Sequence, residues 1–407
     1  MSFRTKFALI LASATLALYT VVGGWISTRA QQPSNDPNAQ LRIFESVLQH
    51  IQNDYVDEPN MEKVRAGALR GLAYGLDPYS TYLTPDQVRE FGRDAKNNQV
   101  GIGAELSQVA SYLYVIAPMK GSPADQAGVR AGDIIEYIDG KATRDISLYD
   151  AKQLLNGAAG SEVKLRILRA NVRPLTLAVK RGTFRAPAAE GRMEVGRIGV
   201  LRVNSFAPGE AADARTRLQD LIKQGAQKMV VDLRGTAGGS IEEAATVANL
   251  FIKDGMLAQT SGREAKTLKT FAADPRAAIF SGPVVGEKSF GAGAEQQLFT
   301  LRGGDGLLLT TIKWASASGK PFLGEDRSHS GVSPSVEVKR PELADAIDPE
   351  DLTGNDDDPA AKPGQANDKS QITAEPSTPK PPVEDLQMKK AIELLRENKQ
   401  LPLQKAA

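Results

Sequence analysis

Residues 228–251 read KMVVDLRGTAGGSIEEAATVANLF, and this stretch decides the fold. Met229, Val230 and Val231 form the short apolar run of a buried strand. Asp232, Leu233 and Arg234 close the run, and glycines at 235, 238 and 239 supply a tight turn. Ser240 suits a helix N-cap, with Glu243 three residues on to complete a capping box. Ala244, Val247, Ala248 and Phe251 then recur at helical spacing. Strand, glycine turn and helix in this order predict an α/β crossover. The same turn offers the backbone N–H groups of Gly238 and Gly239 at a helix start, where a developing oxyanion can be held. For the turn taken alone, an ordinary crossover is a sufficient explanation.

Working outward, residues 198–203 predict a strand and residues 211–224 a helix. Beyond Phe251 a polar loop with several basic residues is expected, then strands at 298–301 and 307–314. Gly303-Gly304-Asp305-Gly306 is a turn and not a phosphate loop, because no helix follows it. Upstream, Ile43, Phe44, Val47, Leu48 and Ile51 follow helical spacing, and a second helix from about residue 61 ends at the Asp77-Pro78 breaker. The apolar faces of both helices read as core.

Composition narrows the function classes. Lys and Arg number 50 against 49 Asp and Glu, so the net charge of +1 leaves no electrostatic footprint for nucleic acid. Cysteine is absent, which excludes thiol chemistry and disulfides. The two histidines are His50 and His329, and no HExxH, cysteine cluster or Walker loop occurs. Zinc and nucleotide sites are therefore not expected, and no cofactor is. Arg4 and Lys6 precede a mostly apolar run at residues 7–26, followed by Ser27-Thr28-Arg29-Ala30. This describes a bacterial export signal peptide cut after Ala30, or an uncleaved membrane anchor, since about 20 apolar residues span a bilayer. Either way the remainder is expected in the cell envelope, facing the periplasm, on the inner membrane if anchored. Residues 341–384 are rich in Asp, Pro, Ala, Ser and Lys and predict a disordered linker. Residues 385–407 hold an amphipathic helix that docks on the body or mediates association, which leaves a homo-oligomer open.

Residues 99–183 open on Gly101-Ile102-Gly103-Ala104, run on through AGVRAGDII at 127–135, and on these features resemble a PDZ domain. Gly101, Ile102, Gly103 and Ala104 occupy the place of the carboxylate-binding loop, where backbone N–H groups converge on a chain terminus. The run YLYVIAPMKGSPADQAGVRAGDIIEYIDG follows, with the AGVxAGDxI turn typical of such domains. A helix at 148–155 then lines the peptide groove, with Leu148, Lys152 and Leu155 on or near one face.

DLRGTAGG resembles the DLRxNxGG signature of the carboxyl-terminal processing, or tail-specific, peptidases, which combine a PDZ domain with a Ser/Lys dyad. DPYSTYLT at 77–84, VGEKSFGAG at 285–293, GVSPSVEV at 331–338 and DLQMKKAIELL at 385–395 match further elements in family order. The resemblance implies a mixed α+β and α/β chain. It comprises the signal or anchor (1–30), a linker and N-terminal helices (31–98), the PDZ domain (99–183) and a crotonase-like peptidase core (184–340). The linker (341–384) and C-terminal helix (385–407) complete it. Two departures bear on catalysis. The family's general-base lysine corresponds to Ala292, whose methyl group cannot take a proton. Gly282-Pro283 runs straight into Val284-Val285, where the family inserts a strand, the nucleophile loop and a helix. Gln296 matches a glutamine the family keeps near its dyad. Ser240, Ser281 and Ser289 are substitute hydroxyls and Lys288 the nearby amine; a working pair needs about 3 Å between them. Each serine also has a plain structural role, as helix cap, turn residue and loop polar group. Three readings follow. The first is an impaired member, a pseudoenzyme, that binds C-terminal tails of envelope proteins. The second is an active serine endopeptidase with a non-standard dyad, and the third is a defective gene product. Loss of an internal strand and helix is expected to open a sheet edge.

Overall fold

The computed structural model describes residues 37–94, 100–144, 146–279, 285–286, 289–326, 328–339 and 385–397. The signal or anchor run, Ser281, Lys288 and the 341–384 linker lie outside the described residues. Among the described residues no helix is long and apolar enough to cross a membrane.

Residues 1–67 and 68–407 form two compact units. In the first, the predicted stripe forms the helix Pro37–Asp54. Its apolar residues stay exposed, Ile43 at 58% and Val47 at 50%, so the expectation that they are core is corrected. The helix Met61–Tyr74 follows and ends ahead of Asp77. Asp77 accepts from the backbone N–H groups of Tyr79 and Ser80 at 2.8 and 2.9 Å, which forces the chain out of helix.

The PDZ-like segment builds one six-stranded sheet. Its path runs Ala104–Val109, Tyr112–Pro118, Ile134–Ile138, Glu162–Arg169, Val172–Lys180, with Lys141–Ala142 beside Ile134–Ile138. Glu162–Arg169 alternates strictly, turning Val163, Leu165 and Ile167 into the core and charged residues outward. The helix Leu148–Leu155 closes that core with Leu148, Ala151 and Leu155. Buried Asp133 fixes the AGDII turn by accepting two hydrogen bonds from Arg169, at 2.7 and 2.8 Å. Arg181 caps the groove helix, donating to the Leu154 and Leu155 carbonyls at 2.9 Å each.

The DLRGTAGG segment folds as its pattern demands. Lys228–Asp232 runs parallel to Ile198–Arg202, which pairs on its other side with Glu190–Glu194. Ile198, Val200 and Leu201 are all but fully buried, as a central strand covered on both faces requires. The helix Glu210–Lys223 makes the crossover and packs Ala214, Leu218 and Leu221 into the second core. Lys228–Asp232 is an edge strand of this three-stranded sheet.

A five-stranded sheet and a two-stranded one, in which Val285–Gly286 runs parallel to Val336–Glu337, carry the rest. The long strand Gly306–Ser316 pairs with Thr81–Leu83, Met256–Ser261 and Ala294–Thr300. Residues expected as a polar loop instead form a hairpin, Met256–Ser261 with Thr267–Ala272. Its second strand reads TLKTFA, whose threonines and Phe271 favour strand although five of its six residues are exposed. The sequence reading also lacked the helix Pro85–Asp94. Thr84 and Gln87 make a capping box there, each side chain meeting the other's backbone N–H.

The final helix, Leu386–Arg396, docks on the body. Asp385 caps its first turn, Met388 and Leu394 are buried, and Lys228 donates to the Leu395 carbonyl.

Candidate functional site

The glycine turn is held by backbone hydrogen bonds to Phe206 and by Thr236, whose Oγ1 donates to the Val203 carbonyl at 2.7 Å. Phe206 N–H donates to Gly238 O at 2.9 Å, and Ser240 N–H donates to Phe206 O at 3.0 Å. The chain packs so closely here that a Cβ on Gly239 would lie 1.9 Å from the Phe206 oxygen. Gly238 and Gly239 both take positive φ, +76° and +109°. Their N–H groups make no hydrogen bond among the described residues. Met119, from the PDZ-like sheet, lies against this turn, its methyl 2.8 Å from where a Gly238 Cβ would sit.

One step behind the turn lies an ion network. Asp232, only 5% exposed, accepts from Arg202 Nη1 at 2.8 Å and from Arg234 Nε and Nη2 at 2.8 Å each. Arg234 reaches onward in a second fork to Asp385, at 2.7 and 2.9 Å. Burial pushes the Asp232 carboxyl up, but hydrogen bonds and charge from Arg234, with the charge of Arg202, bring it below its ordinary value. Hydrogen bonding to Arg234 likewise lowers Asp385. The turn is therefore braced from below by the C-terminal helix.

Ser240 is a helix cap, its Oγ accepting from Glu243 N–H at 3.3 Å. The capping box itself is corrected. Glu243 instead accepts from Gly209 and Ala211 N–H, at 3.2 and 2.9 Å, and so caps the neighbouring helix, whose N-cap Gly209 has no side chain to offer. The adjacent Glu210 is 6% exposed, and its Oε1 has no hydrogen-bond partner. Burial raises its carboxyl, and the Asp213 charge pushes the same way. A group raised in this way destabilises the fold as pH climbs through its folded-state value. Glu210→Gln is predicted to raise the melting temperature at about pH 8, with the gain vanishing at about pH 4 where both side chains are neutral. Thermal melts at the two pH values check this; an unchanged or larger gain in acid counts against it.

Among the described residues no amine is hydrogen-bonded to Ser240 or Ser289. Lys269 reaches the first turn of the capped helix, where its Nζ is bound to Glu242 Oε1 at 2.6 Å. That hydrogen bond is the first cause holding the Glu242 carboxyl low, as in a formed ion pair rather than a free base. Ser289 Oγ accepts from Val332 N–H at 2.9 Å, a loop-bracing role. Ala292 is exposed in the FGAG segment. Gln296 donates to Thr310 Oγ1 at 3.3 Å, and Thr310 donates to Asp77 Oδ1 at 3.1 Å, which links it to the DPYS element. Neither Gln296 nor Ala292 makes a hydrogen bond to Ser240 among the described residues. Ser328, His329 and Asp326 do meet in an exposed loop: His329 Nδ1 is 2.8 Å from Asp326 Oδ1 and 3.1 Å from Ser328 Oγ. Both contacts use one ring nitrogen, so the imidazole cannot be oriented by the acid through one atom while taking the serine proton on the other. His50 stands on an exposed helix face 2.6 Å from Asp54.

In the PDZ-like segment the loop carbonyls are all engaged. Gly101 O accepts from Gly182 N–H, Ile102 O from Ala124 N–H and Gly103 O from Met119 N–H, at 3.3, 2.8 and 2.9 Å. Gly103 takes φ +72°, and a Cβ there would meet Phe184 and Ser122 at 2.4 and 2.5 Å. Leu148 and Leu155 turn into the core, and Lys152 is exposed beside them. The strand Ala104–Val109 is terminal in its sheet, which leaves one edge without a partner strand beside the groove helix.

Family models match in two places: Peptidase family S41 over residues 197–283 and a PDZ domain over residues 114–169. The chain is 28% identical over 363 residues to the carboxy-terminal processing protease CtpA of Bacillus subtilis, covering 83% of this chain and 77% of that protein. It is 29% identical over 370 residues to a probable CtpA-like serine protease of Staphylococcus aureus strain N315, covering 83% and 73%. Among solved structures, the photosystem II D1 C-terminal processing protease superposes with a TM-score of 0.58 at 23% identity, over 73% of this chain and 86% of that one, a likeness of fold. The strand, glycine turn and helix at 228–248 fall inside the first match and the groove helix inside the second, so the chain carries a Peptidase family S41 region and a PDZ domain and is homologous to the carboxy-terminal processing proteases.

Proposed function

We propose that this chain is exported to the bacterial envelope, binds C-terminal tails of envelope proteins through its PDZ groove, and is crippled as a peptidase. Alanine at residue 292 carries the reading: a methyl group fills the family's base position in an exposed loop, and among the described residues no amine is hydrogen-bonded to Ser240 or Ser289. The direct junction of Pro283 with Val284 supports it, because it leaves no room for the family's nucleophile loop. Tails would anchor their carboxylate on the N–H groups of residues 102–104 and lie between Ala104–Val109 and the helix carrying Leu148, Lys152 and Leu155. We place the PDZ domain at 99–183 and the peptidase-like core at 184–340, with residues 1–30 as signal or anchor.

Losing nucleophile or base costs on the order of a millionfold in turnover, with about a thousandfold over water surviving from oxyanion and binding contributions. The purified chain is therefore predicted to turn over a fluorogenic peptide with a free apolar C-terminus on the order of a millionfold more slowly than an active peptidase of this family. Ala292→Lys should not restore activity, because the amine would have no hydroxyl to deprotonate. Binding of the same peptide by fluorescence polarisation should survive in both forms and drop at least about tenfold when its C-terminus is amidated. A trapped acyl adduct on any side chain, or turnover at the family rate, would establish the non-standard dyad instead.

A further inference from the structure

We propose that Glu105 makes the groove selective, favouring tails that carry Lys or Arg within the three positions before the terminal residue. This rests on the reading of the groove as a C-terminus site and names the class of tail it takes. Glu105 is the second residue of the edge strand Ala104–Val109, one step past the carboxylate-anchoring loop. A tail anchored on that loop and added antiparallel to this strand brings its last residues opposite positions 104–106. Side chains there meet directly or diagonally across the ladder.

The Glu105 carboxylate is set apart from its neighbours. Asp133 holds Arg169, Asp125 accepts from Gly121 N–H at 2.8 Å, and Asp150 accepts from Ser147 Oγ at 2.8 Å. Glu105 is half-buried, and its carboxylate makes no hydrogen bond or ion pair among the described residues. Lys152, on the helix across the groove, acts on it only through longer-range charge. Burial pushes the carboxyl up and the Lys152 charge pulls it part of the way back. A partly desolvated carboxylate without a donor costs free energy that a ligand cation can recover, and a charge-assisted hydrogen bond is roughly twice as strong as a neutral one. An arriving tail strips more water from this edge, which raises the premium on a cationic partner. The exposed Lys152 is free to turn to solvent as that cation enters.

The test uses the full chain and octapeptides ending in one apolar residue, with Lys or Gln placed in turn at each of the three preceding positions. At the favoured position Lys is expected to bind about tenfold more tightly than Gln at low salt. Glu105→Gln should bring the Lys peptide down to the affinity of the Gln peptide and leave the Gln peptide within about twofold. Lys152→Gln should widen the preference, because it removes a competing cation. Equal affinity for Lys and Gln peptides, or equal weakening of both by Glu105→Gln, overturns the assignment of Glu105 while leaving the groove intact. No binding by any tail removes the groove reading and this one with it.

Discussion

Alanine at Gly239 is expected to unfold the segment that carries the glycine turn, at a cost of about 4 kcal/mol or more. A Cβ there would stand 1.9 Å from the Phe206 oxygen and 2.0 Å from its carbon, and φ of +109° is a region that L side chains rarely adopt. Both obstructing atoms are backbone, so no rotamer change relieves the clash. Phe206 cannot retreat without breaking its two hydrogen bonds to the turn. Gly235 is the control: φ is +70°, nothing lies within 4 Å of its added Cβ, and Asn tolerates that conformation. Gly235→Asn should stay within about 0.5 kcal/mol of the parent. Thermal melts with limited proteolysis separate the two, and a Gly239→Ala protein that melts beside the parent sinks the account of the turn.

Removal of Asp232 is the second large effect. Asp232→Ala leaves the guanidinium groups of Arg202 and Arg234 partly buried without their shared acceptor, which costs about 3–5 kcal/mol. Its carboxyl sits below the ordinary value in the fold, since Arg234 and Arg202 outweigh the cost of burial. The sign follows from linkage. Stability from a lowered carboxyl is complete above the unfolded-state value near about 3.9 and is lost as pH falls through the folded value. The gap between parent and variant should therefore be widest near neutrality and narrow in strong acid, as urea melts at the two ends will register. Asp385→Ala should cost only about 1 kcal/mol, because that end of the network is nearly half exposed. Equal losses for Asp232 and Asp385 would place the anchor at the wrong carboxylate.

Much of this architecture was legible in local pattern. The apolar run at 229–231, the glycines and the Ser240 cap fixed strand, turn and helix start, and the alternation at 163–167 fixed a half-buried strand. Partner choice was less legible. Glu243 satisfies the spacing of a capping box, yet a bare N-cap at Gly209, 34 residues away, takes its carboxylate. The hairpin at 256–272 hid behind basic residues because its second strand faces water along nearly its whole length, so polarity masked the period of two. The helix Pro85–Asp94 announced itself in Thr84 and Gln87, a signal that was present in the sequence. Of the candidate site, Ala292 was visible as a missing amine and Ser240 as a cap. The Arg234 fork to Asp385 was not, since no local pattern pairs residues 151 positions apart.

That separation has a consequence for the order of assembly. Closing a loop of this length costs chain entropy that grows as (3/2)RT ln n, and the helix that completes the fork is synthesised long after the strand it braces. The lower side of the DLR corner therefore stays unclamped during translation, and one arginine waits for its second acid. Maturation of this corner is in that sense a late, long-range event, and release of the chain before residue 385 is made would leave the corner half-built.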